Sequence, residues 1–263
     1  MSTTTETAPR SAPPAGTTRP GLGLLARVEL RKAVDTRAGF WLVVVVGLIA
    51  LGVVAVQVLA GGEQAGDYSM WLIFQQTAIG FLLPVIAILV VTSEWSARTG
   101  LGTFALVPHR QRVLAAKLLA VLVLTVVAFA ASAALTALGT LAGAAVQDVP
   151  ADWELRWWEL LQSFALLLVP VLVGFALALL LLSSPVAIVL YFVVPTAFAL
   201  LFVFVGPLRD AGPWVDFSSA LTPAGQGVEM GGLDWARLAT ASALWVLLPA
   251  ALGAVRVQRA EIS

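Results

Sequence analysis

Six stretches of this chain are so long, so apolar and so poor in charge that only helices within a hydrocarbon phase accommodate them. They cover about 39–60, 71–92, 113–146, 160–182, 185–205 and 238–255. A helix rising about 1.5 Å per residue needs roughly 20 apolar residues to cross a hydrocarbon core of about 30 Å. The third stretch is long enough to tilt or to project from a bilayer, and the sixth is the shortest. Ser183, Ser184 and Pro185 leave room only for a tight hairpin between the fourth and fifth. Composition agrees: 60% of the 263 residues are apolar and 11% charged, against about 45–50% and 25% in soluble domains. Too little charge is present to build a water-facing exterior. The expected fold is therefore all-α, a polytopic membrane protein with six transmembrane helices. Four of the stretches contain a proline (Pro84, Pro170, Pro195 and Pro249), read as kinks that shape the packing.

Charge orients the bundle. Lysine and arginine accumulate on the cytoplasmic side of membrane proteins. With an inside amino terminus, Arg10, Arg19, Arg27, Arg31, Lys32, Arg37, Arg98, Arg110, Arg112, Lys117, Arg256 and Arg259 all lie inside; only Arg156, Arg209 and Arg237 lie outside. Most acidic residues fall on the outer side. This predicts a multi-pass protein of the cytoplasmic membrane with both termini in the cytoplasm. Trp41, Trp71, Trp95, Trp157, Trp158 and Trp235 stand near span ends, where amphipathic rings favour the interface. Residues 1–20, rich in Thr, Ala and Pro, read as a disordered cytoplasmic tail, without the apolar core of a signal peptide. Residues 21–263 form the membrane domain.

Several chemistries are excluded. Without cysteine there is no disulfide, thiolate nucleophile or zinc–thiolate site. Zero net charge gives no basic footprint for nucleic acid. The two lysines, Lys32 and Lys117, follow no glycine-rich phosphate loop, so this chain is not itself expected to be an ATPase. The single histidine, His109, has no metal-binding partner motif, and no metal site is expected. Lys117 lies near the inner end of the third stretch, where snorkelling to the interface is expected. Gln75 and Gln76 are the most polar pair inside a span; they either bond a neighbouring helix or line a route. Ala128, Ser132, Thr136 and Thr140, with Gly139 and Gly143, form a small-residue stripe suited to close internal packing. Residues 206–234 are too long for a turn and too interrupted to span, and read as short outer helices dipping toward the interface.

The connector from Ser93 to Lys117 is the most informative segment. An acidic residue, Glu94, leaves the second stretch; Arg98 and Thr99 follow, then a short apolar run, Val107 and Pro108, the basic cluster His109-Arg110-Gln111-Arg112, and Ala115-Ala116-Lys117 opening the third stretch. Apolar residues mixed with charge suit a short interfacial helix, which Pro108 would end. A connector that merely reversed direction would be shorter.

This order and placement resemble the membrane subunit of type-2 ABC exporters, a class with six helices per subunit, and the resemblance covers the chain from about Leu22. It implies a cytoplasmic coupling helix after span two, docking on a separate ATP-binding subunit through Glu94, Arg98, Thr99, Thr103, Phe104 and Arg110. Glu94 is expected to hold that helix against span three or against an amino-terminal elbow helix. The resemblance puts the elbow at the interface over about 22–37, although apolar residues there do not gather on one helical face. It also implies an outer re-entrant hairpin after span five. Its route runs between two permeases, a second copy or a paralogue, lined partly by spans two and five; Gln75, Gln76, Tyr191 and Thr196 are the candidates here. ATP and Mg would reside on the partner subunits, with membrane lipid as the surrounding partner. The residues alone leave two other classes open: an ion-coupled secondary carrier and a non-transporting membrane scaffold. Intramembrane carboxylates, the usual mark of ion coupling, are missing from the apolar stretches.

Overall fold

Six helices are long and apolar enough to cross a membrane: Arg37–Ala60, Tyr68–Ser93, Gln111–Gln147, Trp157–Leu181, Ser184–Phe204 and Gly232–Arg256, called spans one to six below. The structure is a computed structural model that describes residues 21–96 and 110–259. Among the described residues there is no strand, only an isolated bridge between Asp67 and Asp152. Each apolar stretch of the sequence is a span. The expected disordered tail and most of the coupling helix lie outside the described residues.

Span starts precede their apolar runs because polar residues cap them. The Asp67 carboxylate accepts from Met70 N at 2.9 Å, starting span two at Tyr68. Glu159 reaches back to Arg156 N at 2.7 Å, starting span four at Trp157. Asp234 accepts from Gly231 N at 3.1 Å, giving span six a polar first turn. Each carboxylate satisfies a backbone N–H that the helix leaves unpaired. Span two breaks briefly at Phe81 and Leu82, just before Pro84, which has no N–H to continue the ladder. Span six contains a π turn at Ala243–Leu247, immediately before Pro249, where the same deficit is absorbed by a local widening.

Spans two and four form the centre. Two thirds of each apolar window (67%) is buried, against 17–22% in the other four. Glycine permits this closeness. A Cβ on Gly174 of span four would come within 2.8 Å of the Pro84 carbonyl oxygen of span two. On span four's other side, a Cβ on Gly253 of span six would stand 2.6 Å from the Leu179 carbonyl carbon. The small-residue stripe of span three faces spans one and two, as expected for internal packing. Gln57 donates to Thr140 at 3.1 Å and Gln76 donates to Ser132 at 2.9 Å, while Gly139 abuts Gln57 and Gly143 abuts Ala65.

Two further elements complete the bundle. Residues 206–225 form four short helical turns, Gly206–Ala211, Gly212–Val215, Phe217–Ala220 and Thr222–Gly225, rather than a plain loop. Buried Asp216 caps the third, accepting from Ser219 N at 2.9 Å and Ser219 Oγ at 2.7 Å. The segment is bonded into the bundle: Trp245 Nε1 donates to Val215 O at 2.7 Å, and Gln162 of span four bonds both Val228 O and Met230 N. At the opposite end, helix Leu22–Asp35 folds back beside span one. Thr36 turns the chain between them, its Oγ1 accepting from Gly39 N at 3.1 Å. Gly39 is required there, since any Cβ would strike the Ala33 carbonyl.

Candidate functional site

Spans two and five diverge around an open groove of about 780 Å³, floored by span four and closed at one end by the short turns 217–225. Prolines shape the walls, with Pro170 and Pro195 on the lining and Pro84 just beyond the break in span two. A ring contact between Phe81 and Phe192, centroids 4.9 Å apart, joins the two walls. Tyr191 is one of its buried residues: it is 7% exposed, edge-on to Phe192 at 5.0 Å and stacked over Phe217 at 6.4 Å. Thr196, one turn further, donates to its own helix at Phe192 O at 2.8 Å.

The structure thus brings two of the four route candidates, Tyr191 and Thr196, into one groove. Gln75 and Gln76 do not line it. Gln76 is committed to Ser132 of span three, the interhelical bond that its polarity suggested. Gln75 is wholly buried, and neither of its amide atoms has a hydrogen-bond partner among the described residues. Helix rotation decides which side chains reach the groove, and no polarity pattern in the sequence fixes that rotation.

Of the coupling candidates, Arg98, Thr99, Thr103 and Phe104 lie outside the described residues. The backbone places Glu94 just past span two, in the last turn of the helix Leu83–Ser96 that carries the end of that span. Arg110 opens the helix that becomes span three.

Sequence reasoning missed a polar junction at this same end. Lys117 does not snorkel outward. It is 2% exposed, its Nζ 2.6 Å from Glu29 Oε2 and donating to Val90 O of span two at 2.9 Å. Glu29, 5% exposed on the amino-terminal helix, also accepts from Lys32 at 2.9 Å. One carboxylate therefore ties that helix to span three, and the same ammonium ties span three to span two. The face that the helix Leu22–Asp35 turns inward carries buried Ala26 and Glu29, with Leu25, Leu30 and Ala33 half-buried. Its larger apolar residues Leu22, Leu24, Val28 and Val34 are exposed, which is why no apolar stripe marked the packed side. The readable signal was a carboxylate between Arg27 and Arg31 on the basic side of the protein. A cleft of about 190 Å³ adjoins the junction, lined by Glu29, Lys32, Thr36, Ser93 and Ser184 among others.

No protein-family model matches this chain, and no curated protein matches it.

Proposed function

We propose that this chain is the membrane subunit of an ATP-driven exporter of the type-2 ABC class. It would pair with a second permease, a copy or a paralogue, and with separate ATP-binding subunits, in the cytoplasmic membrane with both termini inside. The groove between spans two and five carries the reading, because the route of that class runs between two permeases along those spans. Two other features support it. Helix Leu22–Asp35 packs at the bundle end from which segment 97–109 emerges, as an elbow beside a coupling helix would. The short turns after span five match an outer hairpin in position. ATP and Mg would be held by the partner subunits, since the chain has no phosphate-binding glycine loop. Alternation between inward-open and outward-open bundles would follow from nucleotide binding by those partners, provided that they bind the two states with different affinity.

The test is purification from the native membrane under mild conditions. An ATP-binding protein should accompany the chain, and ATP turnover should disappear from the chain once that protein is stripped away. Turnover by the rigorously isolated chain would end the proposal. Ion-driven uptake into vesicles by the chain alone would replace it with the carrier reading.

A further inference from the structure

The groove has a definite chemistry. None of its lining residues is charged, so a charged ligand would lose its hydration there with no countercharge to replace it. Its rings, Phe81, Tyr191, Phe192 and Phe217, offer flat apolar surfaces on both walls and at the closed end. Three of its hydroxyls are already spent on their own helices: Thr77 donates to Ile73 O, Thr196 to Phe192 O and Thr222 to Ser218 O. Of the other two, Ser218 is exposed and Tyr191 is not. It is more than nine-tenths buried and lines the groove, and its hydroxyl donates to no described residue. A buried phenol ordinarily finds a partner for its O–H. The volume, about 780 Å³, lies within the range of small-molecule pockets, roughly 300–1,000 Å³.

We infer that the groove binds an uncharged, ring-bearing small molecule whose carbonyl or ether oxygen accepts a hydrogen bond from Tyr191. This rests on the exporter reading only for the statement that such a molecule is the transported substrate. Rings of the ligand stack against Phe192 and Phe217, and the acceptor meets the Tyr191 hydroxyl, where one hydrogen bond orients the ligand.

Benzophenone provides the probe, since it is neutral, diaromatic, carries one carbonyl and forms covalent adducts on illumination. Benzophenone-4-carboxylate is the same scaffold with a charge. Each is illuminated with the purified protein in lipid nanodiscs, with whatever subunits accompany it, and adducts are mapped by peptide mass spectrometry. Benzophenone should label segments 77–82 and 191–199 saturably and well above the lipid-facing residues of span one; the carboxylate should leave both segments unlabelled. Tyr191→Phe should raise the half-saturating concentration about three- to tenfold, the value of one hydrogen bond. Ala199→Trp, a change at an exposed position that fills the groove, should abolish the saturable labelling. The inference fails if adducts spread evenly over all spans regardless of Ala199→Trp, if the carboxylate labels the groove equally, or if neither probe enters it. Labelling without an ATP-binding partner would remove the exporter reading and keep the ligand site. A partner without labelling would do the reverse.

Discussion

Lys117→Met alone will destabilise the protein by about 3–5 kcal/mol, the usual consequence of removing one member of a buried ion pair. The Lys117 and Glu29 side chains are 3% and 7% exposed and stand 2.6 Å apart. Removing the ammonium leaves the carboxylate in an apolar setting beside Lys32, whose side chain is 43% exposed. The pair Glu29→Leu with Lys117→Met should recover most of the loss, because replacing both charges by apolar groups removes the desolvation penalty together with the attraction. Lys32 then turns to water. Thermal unfolding in detergent reads both variants. At roughly 2–4 °C per kcal/mol for a chain of this size, the single variant should melt on the order of 10 °C lower and the double variant near the parent. A single variant that melts within about a degree of the parent would mean that the junction is solvated. The pair also links the amino-terminal helix to spans two and three, so the single variant should loosen that helix first.

In intact cells, a maleimide that cannot cross the membrane will label Glu63→Cys and leave Gln111→Cys untouched until the cells are opened. The chain has no cysteine of its own, so either signal is unambiguous. Both positions are exposed, Glu63 in the 3-10 turn after span one and Gln111 at the start of span three. They stand at opposite ends of the bundle. Gln147 donates to Val58 O, and Tyr68 N bonds Asp152 O, at the end that carries Glu63. Glu29, Val90, Lys117 and the pair Thr92–Ser184 gather at the end that carries Gln111. Twelve of the fifteen lysines and arginines fall in the sequence segments assigned to the same side as Gln111, and the cytoplasmic excess of positive charge sets the sign. The reverse labelling would put segment 97–109 outside the cell, where no ATP-binding subunit could dock.

The spans themselves were legible because burial in hydrocarbon demands long apolar runs, which leave a strong one-dimensional mark. Span ends were less so. Asp67, Glu159 and Asp234 extend their helices through side-chain caps, and a polar capping turn lowers local hydropathy instead of raising it. The internal role of the stripe Ser132, Thr136 and Thr140 followed from the need for close approach, and Gln57 and Gln76 supply the partners. Glu29 was missed because its partner lies 88 residues away, and because the face it occupies carries Ala26 and Ala33 while larger apolar residues of the helix are exposed. The groove was legible only through resemblance. Tyr191 and Gln75 are both polar residues within apolar helices, and what separates them is a rotation about the helix axis that packing alone decides. The short helices after span five were expected, but their number was not, since Asp216 caps a helical turn too brief to leave a periodic pattern.

The proposed docking of segment 97–109 on an ATP-binding subunit is open to a test in living cells. A photoreactive p-benzoylphenylalanine placed at Phe104 should, on illumination, join the chain to a protein that carries a phosphate-binding glycine loop, while the same residue at Leu208, at the opposite end of the bundle, should not. Adducts at position 104 confined to lipid, or to proteins without a nucleotide site, would contradict the assignment of this chain as an exporter subunit.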